Sequence, residues 1–338
     1  MRSRTATPTK YEFALLYCAA IWGSTFYVVR DALADLHPLT LMAWRFTLGG
    51  VMLLPFAILA TKRAAKRVGQ PSLTVKDSEV PISSNQPILD RHGGLSHHMS
   101  PLLSNWDGYL LGLIIFILYA AQTWGLVYTT AANSAFITGL FIIFIPPCAY
   151  LMHRELPSGM RLLAIVVALA GLYLLTGGIT GLNRGDLLTL IAAATYALHV
   201  LFTGRAMARG LDPLKLACQQ LLTCGVLSFA AAALLHAPLG LPNPHATGIV
   251  LFLTLLPTLS AYVLQLIAQG QVDSLRTALI FTMEPVFGAL FAWTLGGERF
   301  VTLSAVGGLL IVAAMFVSEV TGDRGQVTGQ GAEANIGA

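Results

Sequence analysis

Two ionisable residues sit inside runs that otherwise hold none. Glu284 follows Ile280-Phe281-Thr282-Met283, and Arg45 lies within Leu41-Met42-Ala43-Trp44-Arg45-Phe46. An ionised side chain at the centre of a bilayer costs about 2.5–3.5 kcal/mol on insertion scales, so it should face a cavity, a partner or water. A carboxylate there suits a cationic substrate group or a coupling proton. A guanidinium suits a substrate carboxylate, which its planar fork can hold. The plainer role for either is a structural link that fixes helix register.

Other polar and aromatic groups share these runs. His199, near Tyr196, could shuttle protons around neutral pH, or be a neutral ring bonded to the next helix. Trp22, Trp124, Tyr128 and Tyr262 could line a cavity for flat or apolar substrates. Trp106, Tyr109 and Trp293 suit the interfacial belts of a membrane protein. Gln122, Asn133, Gln265 and Gln269 could bond substrate or tie helices together. Pro285 offers no N–H to the Phe281 carbonyl, and Pro146-Pro147 act in the same way earlier in the chain. Carbonyls freed near a midplane can bind ligands or mark hinges; simple kinks are the alternative.

The elements that must position these groups are apolar helices. The 338 residues are 55% hydrophobic and only 11% charged, against about 25% charged in an average soluble domain. No Lys, Arg, Asp or Glu falls between Lys215 and Asp273. A helix needs about 20 apolar residues to cross a bilayer, and barrel strands would alternate over shorter runs. The runs predict an all-α integral membrane protein with ten spans. These cover about 13–29, 39–60, two in 108–152 split at Thr129–Asn133, then 162–182, 187–203, two between Lys215 and Asp273 split at the turn-rich 237–244, and finally 277–295 and 300–318.

Charge bias sets the expected orientation. With the N-terminus inside, sixteen of the Lys and Arg residues face inward. Only Arg30, Arg184 and Arg299 face outward, and Arg45 is within a span. Both termini should then be cytoplasmic. The net charge of +4 follows this bias, so no nucleic-acid partner is expected. Cys18, Cys148, Cys218 and Cys224 all fall within spans and read as small apolar fillers. The first span, ending near Ala32-Leu33-Ala34, resembles a signal peptide, but its place in an internal repeat argues that it is retained.

That repeat appears on shifting the chain by 143 positions. Ala135 then meets Ala278, Ile137 meets Ile280, Phe144 meets Phe287 and Glu155 meets Glu298; earlier, Pro38 meets Pro213 at a shift of 175. The halves, 11–181 and 184–321, each hold five spans, so the second enters the membrane from the opposite side. Many secondary transporters use this plan, with substrate at the repeat interface. Arg45 aligns with Gln220 and Glu284 with Phe141, so the charges break the internal symmetry. Gly49-Gly50, Gly177-Gly178 and Gly307-Gly308 read as close-packing positions. Segment 61–106 is a polar cytoplasmic insertion, read as disordered. Its basic start can sit on anionic lipid, and its His92, His97 and His98 read as a solvated loop rather than a metal site. Residues 322–338 read as a disordered tail.

Several motifs in order resemble the EamA-type permeases of the drug/metabolite transporter superfamily. They are Ile21-Trp22-Gly23-Ser24-Thr25-Phe26, Trp44-Arg45-Phe46, Thr130-Ala131-Ala132-Asn133-Ser134-Ala135-Phe136, Arg154-Glu155, Glu284-Pro285-Val286 and Gly297-Glu298-Arg299. The resemblance covers about 11–320. It implies two inverted five-helix repeats around a central cavity, and export or exchange of small metabolites across an inner membrane. Trp22 and Thr25 of the first motif join the substrate-facing candidates, which are Trp22, Thr25, Arg45, Trp124, Asn133, Tyr196, His199, Tyr262, Gln265 and Glu284. No cofactor or metal is expected, and a monomer or homodimer suffices. The competing classes are a lipid-modifying membrane enzyme and a scaffold. The first would need an acid, base or metal cluster near a membrane face, and no such motif is present. A scaffold need not keep intramembrane charge.

Overall fold

A computed structural model describes residues 10–68, 106–154, 157–177, 183–294 and 299–333. The helices are α1 (Lys10–Ala32), α2 (Pro38–Val68), α3 (Trp106–Tyr128), α4 (Ala131–Gly139), α5 (Phe141–His153), α6 (Gly159–Thr176), α7 (Arg184–Ala208), α8 (Pro213–Leu234), α9 (Pro244–Leu253), α10 (Ala261–Gln269), α11 (Ser274–Phe281), α12 (Glu284–Thr294) and α13 (Thr302–Glu333). A π-helical turn, Thr254–Ser260, joins α9 to α10. Among the described residues, nine helical runs are long and apolar enough to cross a membrane, and Thr302–Val317 is a shorter apolar helix. Ten crossings result, as the sequence predicts.

Local chemistry sets the ends. Thr130, in an extended conformation, caps α4 by accepting from the Asn133 N–H, so the crossings divide where the small polar cluster predicts. Asp212 and Asn243 cap α8 and α9, each followed by proline in the first turn, where its missing N–H would be unsatisfied anyway. Asn183 and Asp186 form a reciprocal capping box that opens α7, satisfying two orphan donors at once.

The fourth and ninth crossings are broken helices. The fourth breaks at Leu140, between α4 and α5, and the ninth at Thr282–Met283, between α11 and α12. Shifted by 143, Leu140 falls on Met283, so the break recurs at one register in both halves. Pro285, just past the ninth break, has no N–H for the Phe281 carbonyl. In the fourth crossing the break comes ahead of Pro146-Pro147, which lie inside α5.

Packing follows the same two-fold pattern. α2 lies along α8, and α6 along α13. α3 packs on α7 as the eighth crossing packs on α1, and the fourth crossing packs on α7 as the ninth packs on α1. Each pairing maps onto another, or onto itself, when five crossings are added. Two copies of one five-crossing unit inserted from opposite sides would pack this way. Close backbone approach holds the α6–α13 pair: a Cβ on Gly171 would meet the Gly307 carbonyl, and one on Gly307 the Gly171 carbonyl. Such small-residue seams let apolar helices associate in lipid. Gly177 is different, since it caps α6 at φ +76° with nothing near its Cβ.

The core between the halves is aliphatic and aromatic, with Phe46, Phe141 and Phe281 fully buried. The rim exposes Val51, Phe56, Val166, Leu309 and Phe316, a surface that suits lipid rather than water. Trp106 is exposed and lies 6.2 Å from Tyr109, ring to ring, as belt residues would. α2 runs on to Val68 and α13 to Glu333, so parts of both segments read as disordered are helical backbone. Glu155, Glu298, the three loop histidines and Gly178 lie outside the described residues.

Candidate functional site

A small cavity lies at the centre, where the start of α12 in the ninth crossing meets α1, α3, α7 and α10. Its walls include Trp22, Thr25, Gln122, Tyr196, His199, Tyr262, Gln265 and Glu284. Phe26, Leu118 and Tyr119 complete it. Its volume is about 30 Å³, room for about one water.

Glu284 is the first residue after the ninth break and is only 5% exposed. It begins α12, where the helix dipole favours negative charge. The Tyr196 hydroxyl donates to its carboxylate at 2.5 Å. The Tyr196 ring stacks on Phe141 at 4.5 Å between centroids and on Phe281 at 6.1 Å. Phe141 is the first residue after the fourth break. One tyrosine on α7 therefore touches the first residue after each break, by its hydroxyl on one side and its ring on the other.

Trp22 closes a second wall. Its ring meets Phe281 at 5.1 Å, Tyr262 at 5.6 Å and Tyr196 at 6.5 Å, all edge-on. Its indole N–H donates to the Pro257 carbonyl at 2.7 Å. That carbonyl is offered by the π turn, which has a local cause. Pro257 has no N–H for the Leu253 carbonyl, and the Thr258 hydroxyl donates to it instead at 2.7 Å. Such π turns often mark functional positions. A Cβ on Gly23, beside Trp22, would overlap the Glu284 carbonyl and come within 3.0 Å of the Gly288 nitrogen. Only glycine lets α1 approach the ninth break this closely.

His199 is buried and donates from Nε2 to the Gln220 side-chain oxygen at 3.0 Å, with its ring edge-on to Tyr262. It is thus tied to α8 and also faces the cavity. Gln265 donates to Gln269 at 2.9 Å, and its own oxygen has no hydrogen-bond partner. Gln269 donates to the Val200 carbonyl, which is the helix-tying role. Gln122 donates to Thr138 across to α4 at 3.1 Å. Tyr119 and Tyr262 both line the cavity.

The candidates Trp22, Thr25, Tyr196, His199, Tyr262, Gln265 and Glu284 thus come together. Trp124 does not join them: it sits edge-on to His37 and, with Tyr128 and Leu188, lines a separate apolar depression on the outside of α3 and α7. Asn133 is buried in the first turn of α4, where its N–H serves the Thr130 cap. Arg45 stands behind the Tyr119 ring and does not line the cavity. Arg45 and Glu284 are not among the ion pairs of the described residues; Arg45 donates to Thr258 at 2.6 Å. Tyr119 is the residue that sequence reasoning missed. Its signal was a polar atom three places before Gln122, on the same face of an otherwise apolar helix.

Polar contacts tie helix ends together on both faces. On the face where α1 begins, Glu12 pairs with Arg276 and Asp107 with Arg209, and Arg161 lies 3.5 Å from Asp273. On the opposite face, Thr129 donates to the buried Asp186 at 2.6 Å, and Arg30 donates to the Thr129 carbonyl at 2.7 Å. Among the described residues, no cluster of His, Cys, Asp and Glu is placed to hold a metal ion.

This arrangement has relatives. A crystal structure whose chain is 17% identical superimposes with a TM-score of 0.69, covering 94% of this chain and 99% of that one. That likeness is one of fold. An uncharacterized transporter of Archaeoglobus fulgidus is 26% identical over 90% of this chain and 84% of its own. An S-adenosylmethionine/S-adenosylhomocysteine transporter of Chlamydia muridarum is 25% identical over 85% of both chains; that of Chlamydia trachomatis is 26% identical over 85% of this chain and 82% of its own. The profile of the EamA-like transporter family matches residues 9–74, 87–177 and 183–319. With ten crossings, a central aromatic cavity and most of its length matched, the chain belongs to the EamA-like transporter family.

Proposed function

We infer that this transporter carries a small organic cation bearing a flat ring, and does so by alternating access. The observation that carries the reading is Glu284, a buried carboxylate at a helix break, enclosed by Trp22, Tyr196, Tyr262 and Phe281. Aromatic faces attract cations, and the attraction grows once water is excluded. A carboxylate among them adds a charge that the cation can neutralise. The S-adenosylmethionine relatives fit this chemistry, since that compound joins a sulfonium to an adenine ring. Glu284 can also exchange substrate for a proton, which would couple flux to a proton gradient.

The cavity volume supports movement as part of the cycle. About 30 Å³ is far below the roughly 300–1,000 Å³ of a ligand site. Helices must part for substrate to bind, and the two breaks are natural hinges. Tyr196, touching the residue after each break, can report an occupied Glu284 to both. The charge bias supports an inner-membrane protein with both termini in the cytoplasm.

Counterflow in proteoliposomes tests the reading with a panel of organic cations, amino acids, nucleosides and sugars. Accumulation of ring-bearing cations above the neutral compounds is the expected result. Flux restricted to uncharged sugars, or no flux from folded protein, would overturn it.

A further inference from the structure

The apolar depression on the outside of α3 and α7 has both a size and a direction. Its volume is about 450 Å³, within the roughly 300–1,000 Å³ of ligand sites. Its α3 wall is a stripe at helical spacing, Phe116, Ala120, Trp124 and Tyr128, and residues four apart stack along one face of a helix. Ala121 stands beside Ala120, so the hollow lies where two small side chains interrupt a row of large ones. Leu188 supplies the α7 wall. Tyr128 is the last residue of α3, and Phe116 lies near the middle of that helix. At the rise of an α-helix the stretch between them spans roughly 18 Å. Half of a bilayer's hydrocarbon core is roughly 15 Å. The hollow therefore runs from the membrane surface to the midplane, the depth of one leaflet.

The surface end of the hollow is basic. Arg184 opens α7 one turn before Leu188 and is exposed. Side chains on a helix lean towards its N-terminus, which carries this guanidinium outward to headgroup level. Arg30 is exposed as well, and its Nη1 donates to the carbonyl of Thr129, the residue after Tyr128. The carboxylates at this end have other partners. Asp186 is buried and accepts from the Thr129 hydroxyl and the Asn183 N–H. Asp35 accepts from the Asn243 side chain, and Asp31 lies 4.0 Å from His245. A hollow of leaflet depth, apolar along its length and cationic at its mouth, is complementary to an acyl chain beneath a phosphate.

We propose that this hollow is a binding site for one anionic phospholipid, with an acyl chain between α3 and α7 and its phosphate on Arg184 and Arg30. Ala120 and Ala121 make room for the chain. Trp124 and Tyr128 sit where the chain meets the headgroup, the level that amphipathic rings prefer. The site is apart from the Glu284 cavity and does not rest on the cation reading.

The test uses the full-length protein, stripped of lipid in detergent, and native mass spectrometry with equal amounts of phosphatidylglycerol and phosphatidylcholine of the same chains. Wild type should retain one phosphatidylglycerol, preferred by about fivefold for each arginine, the weight of one basic residue against anionic lipid. Arg184→Gln should reduce that preference by about fivefold. Ala120→Phe fills the hollow, so retention of both lipids should fall, whereas Val166→Phe, at an exposed position on α6, should change nothing. Tm gives a second measure: phosphatidylglycerol should raise it in wild type and not in Ala120→Phe. Equal retention of the two lipids by wild type would overturn the proposal. So would retention unaltered in both Arg184→Gln and Ala120→Phe. A detergent-stable dimer that Ala120→Phe abolishes would overturn it too, by giving the hollow to a second copy of the chain.

Discussion

Replacing Gly23 by alanine tests how the site is held, because it adds one methyl at the tightest point between α1 and α12. That methyl would overlap the Glu284 carbonyl, with the Gly288 nitrogen at 3.0 Å and the Glu284 carbonyl carbon at 3.2 Å. All three atoms are backbone, so no side chain can turn away. Relief requires α1 and α12 to separate by roughly 1 Å, and overpacking of this kind costs about 1–3 kcal/mol. At about 2–4 °C per kcal/mol in a protein of this size, Tm should fall by roughly 2–12 °C. The same displacement moves the Glu284 backbone, so counterflow should fall as well. Thermal unfolding of the purified protein in detergent measures the first effect and proteoliposome flux the second. Gly248→Ala is the control. Its Cβ would meet nothing within 4 Å, and alanine in a helix is favoured over glycine by about 1 kcal/mol, so Tm should hold or rise. Gly23→Ala with wild-type Tm and flux would refute the close approach of α1 to the ninth break.

Other perturbations follow from named bonds. Tyr196→Phe keeps the ring stack on Phe141 but removes the donor to Glu284; stability should fall by about 1–3 kcal/mol, read as a lower Tm, and flux should fall with it. Thr258→Val removes both the bond to the Leu253 carbonyl and the acceptor for Arg45, so Tm should fall, while Thr258→Ser should preserve it. Glu12→Arg should destabilise by setting two cations together on the face where α1 begins, and Glu12→Arg with Arg276→Glu should recover part of the loss, a coupling that a double-mutant cycle measures. Recovery of nothing would argue against the Glu12–Arg276 pair.

Much of this architecture was legible because a membrane penalises polarity so heavily. A run of about 20 apolar residues leaves little but a crossing helix, and the small polar cluster at Thr129–Asn133 and the turn-rich segment 237–244 mark where two long runs divide. Glu284, Tyr196, His199 and Gln265 were legible for the same reason, since groups that lipid rejects must gather where helices enclose them. Aromatic residues carried less information. Trp22 and Trp124 read alike in sequence, yet one lines the cavity and the other the outer side of α3, because a tryptophan is as stable against lipid as against a helix. Asn133 read as an amide that could bond substrate or tie helices together, and it lies buried in the first turn of α4, outside the cavity lining. The π turn was hidden because Pro257 and Thr258 act together: the missing N–H of one is replaced by the hydroxyl of the other. The position of the breaks was hidden too. Proline marks the ninth break closely but follows the fourth at a distance, and the shared register emerges only when the two halves are compared in space. Tyr119 was missed because a tyrosine in an apolar span reads as packing until its neighbour proves to be an arginine.

The most direct measurement of the central claim is flux of a ring-bearing cation by wild type and by Glu284→Gln, in proteoliposomes of matched protein content. Glutamine is nearly the same size and keeps an oxygen that can accept from Tyr196, so the change is chiefly one of charge. A cation about 4 Å from the carboxylate, at an effective dielectric constant near 20, gains about 4 kcal/mol. Substrate desolvation offsets part of that, and a loss of more than tenfold in apparent affinity remains the prediction. Wild-type flux and affinity in Glu284→Gln, from protein of unchanged Tm, would contradict the account and leave Glu284 a packing residue at a helix break.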